Sequence, residues 1–382
     1  MSIEAKIKPL EVASNSLYRT QTIKFTSYKS ITTPTKTIPL DKIKLMHSLN
    51  SESRQLNELF KRFTAQQIKE ANEDNDKFHK LETWFNSQKN KIPDNTSTLC
   101  FLDFNEKRIP ANEEIEFMAD ISYCNADITT IPSINHFNVP KQEEISFEDY
   151  KKYLENAIQA IDQLNNKPIM GIIPKLAPKK VEELLGFYQE KGINCFALDL
   201  AGSNPISGSM RVFKVLKILN KMKIIDNSYI HGHNVGMRVN KTVDVIPAKD
   251  ILGFGIGLGS LGEKRTVFRP NPAFISYIKT NPKNKFRLFN KEDYGYWKSI
   301  SVEELEKVYP KDSALPINLF NNTSQMNYVQ KVFNAEQLAL ESHNIQKIIS
   351  EAPEESLSYV RKKRYVAEDD IKLLQKGQEK IK

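Results

Sequence analysis

No stretch of this 382-residue chain approaches the roughly 20 consecutive apolar residues that a membrane-spanning helix needs, and the opening MSIEAKIKPL has no signal-peptide core. A cytosolic, cytoplasmic protein is expected. Cysteine is equally scarce. Cys100, Cys124 and Cys195 stand too far apart for a C-x2-C clip, and each lies in an apolar run, so buried reduced thiols are expected. A tetrahedral zinc site needs a closer cluster. No G-x-G-x-x-G follows the first strand-like run with an acid about 20 positions on, which argues against an open dinucleotide-binding sheet. Neither a metal nor a cofactor is expected.

Glycine is sparse too, with 14 in all, yet Gly253, Gly255, Gly257, Gly259 and Gly262 fall within ten residues. Such crowding marks a backbone that turns sharply or approaches something closely. Upstream of it lies YIHGHNVGMR, an apolar run ending in His231 and His233. In a strand these two share a face, so both are expected to line one surface, and as metal ligands they lack a nearby third partner.

A regular beat runs through the middle of the chain. TLCFLDF, ADITTIP, PIMGIIP, INCFALDL, YIHGH and DILGFGIG read as strands, most of them separated by one helix. FEDYKKYLENAIQAIDQL shows one clean apolar face, and Pro178 opens the next helix. Parallel βα units follow from that pattern. Polar residues at strand ends, Asp103, Asp199 and His233 among them, favour a (β/α)8 TIM-like barrel of the α/β class with an N-terminal strand and helix extension and C-terminal helices. The divisions read from the sequence are 1–95 for the extension, with a helix over Leu56, Leu59, Phe60 and Phe63; 96–350 for the barrel; and 351–382 for a charged helix or tail.

The net charge is +8 and the pI near 9.0. Between Ser260 and Ile300 nine Lys or Arg face three acids and are interleaved with aromatics, a pattern suited to phosphate contacts and base stacking and equally to a solvated face over core aromatics. Lys264, Arg265, Arg269, Lys285 and Arg287 are the phosphate-contact candidates.

The order of these pieces resembles the tRNA-guanine transglycosylases, the queuine and archaeosine enzymes and their DNA-modifying relatives. ITTPTKTIPL resembles their entry segment, FLDFNEKRI the first-strand segment with an essential Asp, YIHGHNVGMR their Leu-Met-Gly-Val-Gly strand, and DILGFGIGLGS the strand that bears the nucleophile. The likeness spans about residues 30 to 350. It implies a transglycosylase that exchanges guanine for a 7-deazaguanine in DNA or tRNA, with Asp103 as acid or base. Departures accompany it: of the Asp-Ser-Gly-Gly cluster only Asp103 is kept, the nucleophile position counted from Asp250 is Gly253, and the zinc cysteines are missing.

On this reading Asp199 serves as a displaced nucleophile, and His231, His233, Asn234, Gly253, Gly255 and Gly257 hold the substrate. The partners implied are nucleic acid and a 7-deazaguanine-type base, with no membrane; a homodimer and a hetero-oligomer with a related subunit are both compatible with it. Two alternatives stand beside it: a catalytically silent nucleic-acid-binding subunit, and an unrelated barrel enzyme for a small phosphorylated ligand whose phosphate sits on the glycine loop. For Asp103 and Asp199, capping a following helix or bonding to loop amides is the plainer reading. Asp127 and Asp250 fall at strand beginnings, where stability is the expected role.

Overall fold

The computed structural model describes residues 5–382 apart from 13–15, 26–28, 45–47, 92–95, 135–144, 165–166, 238–242, 266–271, 273–275, 277–285, 300, 308 and 322–325. Its centre is a closed parallel barrel. In chain order the strands are β1 (Thr35–Lys36, resumed at Ile38–Pro39), β2 (Leu56–Phe63), β3 (Ser97–Phe104), β4 (Ile128–Thr130, resumed at Ser133–Ile134), β5 (Ile169–Ile173), β6 (Cys195–Asp199), β7 (Tyr229–His233) and β8 (Ser260–Leu261). Among the described residues each pairs in parallel with its neighbours, and β8 returns to β1, so the strands form a ring. Thr35 N and Thr37 N donate to Gly259 O and Leu261 O at 3.1 and 3.0 Å, which closes the ring.

Alternation along each strand sorts side chains between the two faces of the wall. Leu56, Leu99, Phe101, Ile128, Met170, Cys195, Ala197 and Tyr229 form an inner apolar cluster, while Leu59, Phe63, Cys100, Leu102 and Phe104 join an outer cluster under the helices. Both faces are covered, so most strands read as solid apolar runs. The helices Asn112–Asn125, Phe147–Leu164, Pro178–Glu190 and Ser209–Lys221 stand where the sequence periodicity places them.

An antiparallel sheet of Lys6–Val12, Arg19–Lys24 and Ser30–Thr33 lies across the end of the barrel where the strands begin. Its Ile23 and Ile31, with Phe25 just past the second strand, share the inner cluster with Leu56, Leu99 and Tyr229, so this sheet plugs the barrel from below. A second antiparallel sheet of Val245–Pro247, Gly295–Ser299 and Phe286–Asn290 lies outside. Asn334, on the helix Met326–Glu351, ties it down with Nδ2 donating to Arg287 O at 2.9 Å and Oδ1 accepting from Phe289 N at 2.8 Å. Among the described residues no helix is long and apolar enough to cross a membrane.

Several sequence expectations are corrected. Leu56 to Phe63 is a strand, not a helix: Leu56 and Phe60 point inward and Leu59 and Phe63 outward, so apolar residues of two faces fall at helical spacing, while the inward Glu58 and Arg62 interrupt the apolar run. TLCFLDF is thus the third barrel strand rather than the first. DILGFG does not extend into the wall; Ile251–Ile256 is a 3-10 helix closed by Gly257 at φ 97°, and only Ser260–Leu261 pairs. Cys124 is exposed, whereas Cys100 and Cys195 are buried. The stretch read as a charged helix or tail holds the helices Ser356–Arg361, Glu368–Gln375 and Gly377–Ile381, whose Ile371, Leu374 and Ile381 are buried in the core, and Asn220 Nδ2 donates to Ile381 O at 3.2 Å.

Candidate active site

With the lower end plugged, the end where the strands finish is the site-bearing one in a barrel of this kind. Inward positions on β2 are Leu56, Glu58, Phe60 and Arg62; on β3 they end in Asp103, on β6 in Asp199, and on β7 they are Tyr229, His231 and His233. The barrel is therefore apolar at its base and charged at its mouth.

Asp103 and Arg62 are register partners on neighbouring strands. Arg62 Nε donates to Asp103 Oδ2 at 3.1 Å, and Ser133 Oγ donates to Asp103 Oδ1. Asp199, three strands further round, accepts from Ala201 N at 2.7 Å and from Asn234 Nδ2 at 3.1 Å. Its carbonyl oxygen accepts from Arg211 Nη1 at 2.7 Å. The loops after β6 and β7 are stitched together by Leu200 N to His233 O, Gly202 N to Asn234 O and Gly236 N to Ser203 O, at 2.9, 2.9 and 3.0 Å. Ala201 and Asn234 stand in the left-handed region, at φ 51° and 53°. Strain of that kind, of order 1–3 kcal/mol per residue, persists where surroundings over-determine the backbone, and it clusters at working sites.

Arg265 joins the two carboxylates. Its backbone N donates to Asn234 Oδ1 at 2.9 Å, and its carbonyl accepts from Arg62 Nη2 at 2.7 Å. A continuous chain of hydrogen bonds thus runs from Asp103 through Arg62, the Arg265 backbone and Asn234 to Asp199. The Arg265 side chain turns inward: Nε donates to Glu58 Oε1 at 2.9 Å, and Nη1 to Asp41 Oδ1 and Oδ2 at 2.9 and 3.0 Å. Phe60 lies beneath both guanidiniums, with Arg265 and Arg62 4.8 and 5.1 Å from its ring centroid.

Below this layer a polar thread descends. Glu58 Oε2 accepts from Thr37 Oγ1 at 2.8 Å and lies 3.9 Å from His231 Nε2. His231 Nδ1 meets Ser260 Oγ at 2.7 Å, and Ser260 meets Tyr229 Oη at 2.5 Å. Phe101 packs against both histidines, its centroid 5.3 Å from His231 and 4.2 Å from His233. Burial pushes the Glu58 carboxyl up, but Arg265 and the neighbouring positive groups outweigh it and hold it at about 2. Burial pulls His231 down to about 3, against the attraction of Glu58, so at neutral pH the imidazole is uncharged and Arg265 is what keeps Glu58 ionised. Arg265 itself is raised, because Glu58 and Asp41 more than offset its burial.

The sequence candidates divide accordingly. Asp103, Asp199, His233, Asn234 and Arg265 meet at the mouth, and His231 lies one layer deeper. Gly253, Gly255 and Gly257 are outside the wall: a Cβ on them would strike Pro205 and Leu261, Tyr18, and Leu216 respectively, so these glycines allow close side-chain packing there. Lys264 is exposed. Arg287 gives Nη2 and Nη1 to the carbonyls of Val243 and Asp244 at 2.6 and 3.4 Å, in the outer sheet. Arg269 and Lys285 lie outside the described residues. Asp127 and Asp250 are bound as structural groups, to Lys29 Nζ at 3.0 Å and Tyr296 Oη at 2.5 Å. Glu58, Arg62 and Asp41 belong to the site and were not singled out from the sequence; for Glu58 and Arg62 the signal that could have found them is the pair of charges on one face of LNELFKRF, whereas Asp41 lies outside that stretch and no local signal marks it. Among the described residues no three His, Cys, Asp or Glu side chains are placed to hold a metal ion.

No family model matches the chain, and no curated protein matches it. Among solved structures it is similar to a GH26 beta-mannanase from Bacteroides ovatus at 13% identity, over 63% of this chain and 82% of that one, with a TM-score of 0.38. It is also similar to the YdjI aldolase from Escherichia coli, at 9% identity over 77% and 84% of the two chains with a TM-score of 0.35. For the carboxyl transferase domain of Rhizobium etli pyruvate carboxylase the values are 12%, 64%, 35% and 0.30. Likenesses this weak carry no argument about chemistry.

Proposed function

We propose that this barrel is an enzyme of glycosidic-bond chemistry whose working carboxylates are Asp103 and Asp199. The observation that carries this reading is the pair itself: two inward carboxylates at the ends of β3 and β6, each fixed by its own donors and joined through Arg62, Arg265 and Asn234. A pair of positioned carboxylates suits attack at an anomeric carbon together with proton transfer to and from the leaving group.

The finer form is base exchange on nucleic acid, and it rests on the resemblance described above. Asp199 attacks C1′ of the nucleotide, the bond to guanine breaks, and the departing guanine takes a proton from Asp103. The incoming 7-deazaguanine returns a proton to Asp103 and displaces Asp199. A base in a duplex is out of reach, so the substrate is single-stranded or flipped. Incorporation of labelled guanine into tRNA and into single-stranded DNA tests this, alongside a search for a denaturation-resistant adduct. An adduct present in the wild-type protein and lost in Asp199→Ala supports it; no exchange and no adduct with either polymer overturns it.

A second reading, an enzyme for a small ligand in the same mouth, is favoured by where the basic residues go. Arg265 and Arg287 are engaged internally rather than presented to a polyanion. Oligonucleotide binding that is absent at about 50 mM salt selects this reading, because phosphate contacts should be strong there and weaken steeply as salt rises.

A further inference from the structure

Outside the barrel lies a cavity of about 740 Å³, between the edge of the outer sheet, the short helix Val302–Glu306, the turn at Pro310 to Asp312, and the helix Met326–Glu351. Its volume falls in the range of small-molecule sites, roughly 300–1,000 Å³. Leu288, Leu305, Phe333 and Trp297 supply apolar walls. Trp297 is held in place, with Nε1 donating to Asp293 Oδ2 at 2.8 Å and the ring edge-on to Tyr365 at 5.8 Å.

Among the described residues, two polar atoms of the lining are shielded from solvent without a hydrogen-bond partner: Gln337 Nε2, a donor, on a residue only 1% exposed, and Asp312 Oδ1, an acceptor. Leaving such groups unpaired destabilises the protein, a cost that a ligand would recover. Lys291, Lys298 and Lys311 in the lining are matched by Glu292, Glu304 and Asp312, so the cavity has no net charge to select a strongly ionic guest. Asp312 Oδ2 already pairs with Lys291, and Lys298 Nζ lies 3.7 Å from Asp244.

We propose that this cavity binds a neutral, planar, nucleobase-type heterocycle that presents an acceptor to Gln337 and an N–H donor to Asp312, with its ring against Trp297. The inference goes beyond the barrel chemistry and does not depend on it, since its readout is binding alone. The chain has two tryptophans, so in a Trp84→Phe background the fluorescence reports Trp297 by itself. Titration with hypoxanthine should give saturable quenching. Affinity should fall about tenfold or more in Gln337→Leu and in Asp312→Leu, the loss expected when a ligand group is left without its buried partner. Caffeine, whose ring N–H groups are all methylated, should bind at least about tenfold more weakly for the same reason.

Ser299→Phe, which fills the cavity from its wall, should abolish quenching while thermal melting by circular dichroism shows a folded protein. Absence of saturable quenching overturns the proposal. So does hypoxanthine binding that is unchanged in Gln337→Leu and Ser299→Phe, or caffeine binding as tight as that of hypoxanthine.

Discussion

Arg265 and Glu58, 207 residues apart in the chain, meet inside the barrel with Nε 2.9 Å from Oε1, both side chains almost wholly removed from solvent. The pair holds the start of the loop after β8 against β2, and that loop in turn positions Asn234 and Arg62. Removing one partner of a buried ion pair leaves the other charge uncompensated, a loss of about 3–5 kcal/mol. Arg265→Ala, which leaves the wholly buried Glu58 carboxylate without its guanidinium, is therefore expected to lower the stability measured by urea denaturation by that amount. A change below about 1 kcal/mol, the size of an exposed pair, would show that the contact is not buried in solution.

Acid should destabilise the protein in a defined window. Glu58, held at about 2 against an ordinary 4.5, contributes stability that is complete above 4.5 and lost as pH falls through 2. His231, lowered from 6.5 to about 3, stays neutral while the unfolded chain takes up a proton, so stability also drops as pH falls from 6.5 toward 3. Each proton contributes a slope of up to about 1.4 kcal/mol per pH unit. Urea midpoints should fall continuously below pH 6.5, and His231→Gln should flatten the upper part of that decline. An unchanged slope in the variant would refute the assignment to His231.

Asp103→Asn keeps the shape of the side chain and removes its charge and its proton-transfer capacity. Turnover in whichever assay reports activity should fall by about 10²–10⁴, the contribution typical of a positioned acid or base. The melting temperature should move little by comparison. Equal losses of stability and activity would make Asp103 a structural partner of Arg62 and nothing more.

Gly236 marks the closest approach of the loops after β6 and β7. A Cβ there would stand 1.7 Å from Gly202 O, a backbone atom with no freedom to retreat. Gly236→Ala is expected to cost about 3 kcal/mol or more, at or beyond the upper end for overpacking, and to disturb Asn234 and Asp199 with it. Near-wild-type stability, read from the same urea series, would contradict this packing.

Much of the barrel was legible from the sequence, and the reason is physical. β3, β5, β6 and β7 are buried on both faces, so each reads as a solid apolar run punctuated by helices of clear period. β2 was hidden because Glu58 and Arg62 occupy inward positions, where a polar interior replaces the apolar pattern, and β8 because only two of its residues pair. Asp103, Asp199, His231 and His233 stood out as polar residues within or closing apolar strands. Arg265 stood out as basic, but its partners Asp41 and Glu58 come from the other end of the chain, and no local pattern could have announced that it faces inward.

The closure of the ring also bears on how the chain is made. β1 has only β8 as its neighbour on one side, and Thr37 donates through both N and Oγ1 to Leu261 O, 224 residues later. During synthesis from the N-terminus, β1 therefore waits with one side unpaired until Leu261 has left the ribosome, and the inner charges of Glu58 and Asp41 wait for Arg265 over the same interval. Contacts of such long sequence separation form late and slowly. Barrel completion thus waits on Leu261, and a nascent chain stopped before that residue carries an open, charged seam where the folded chain has its candidate site.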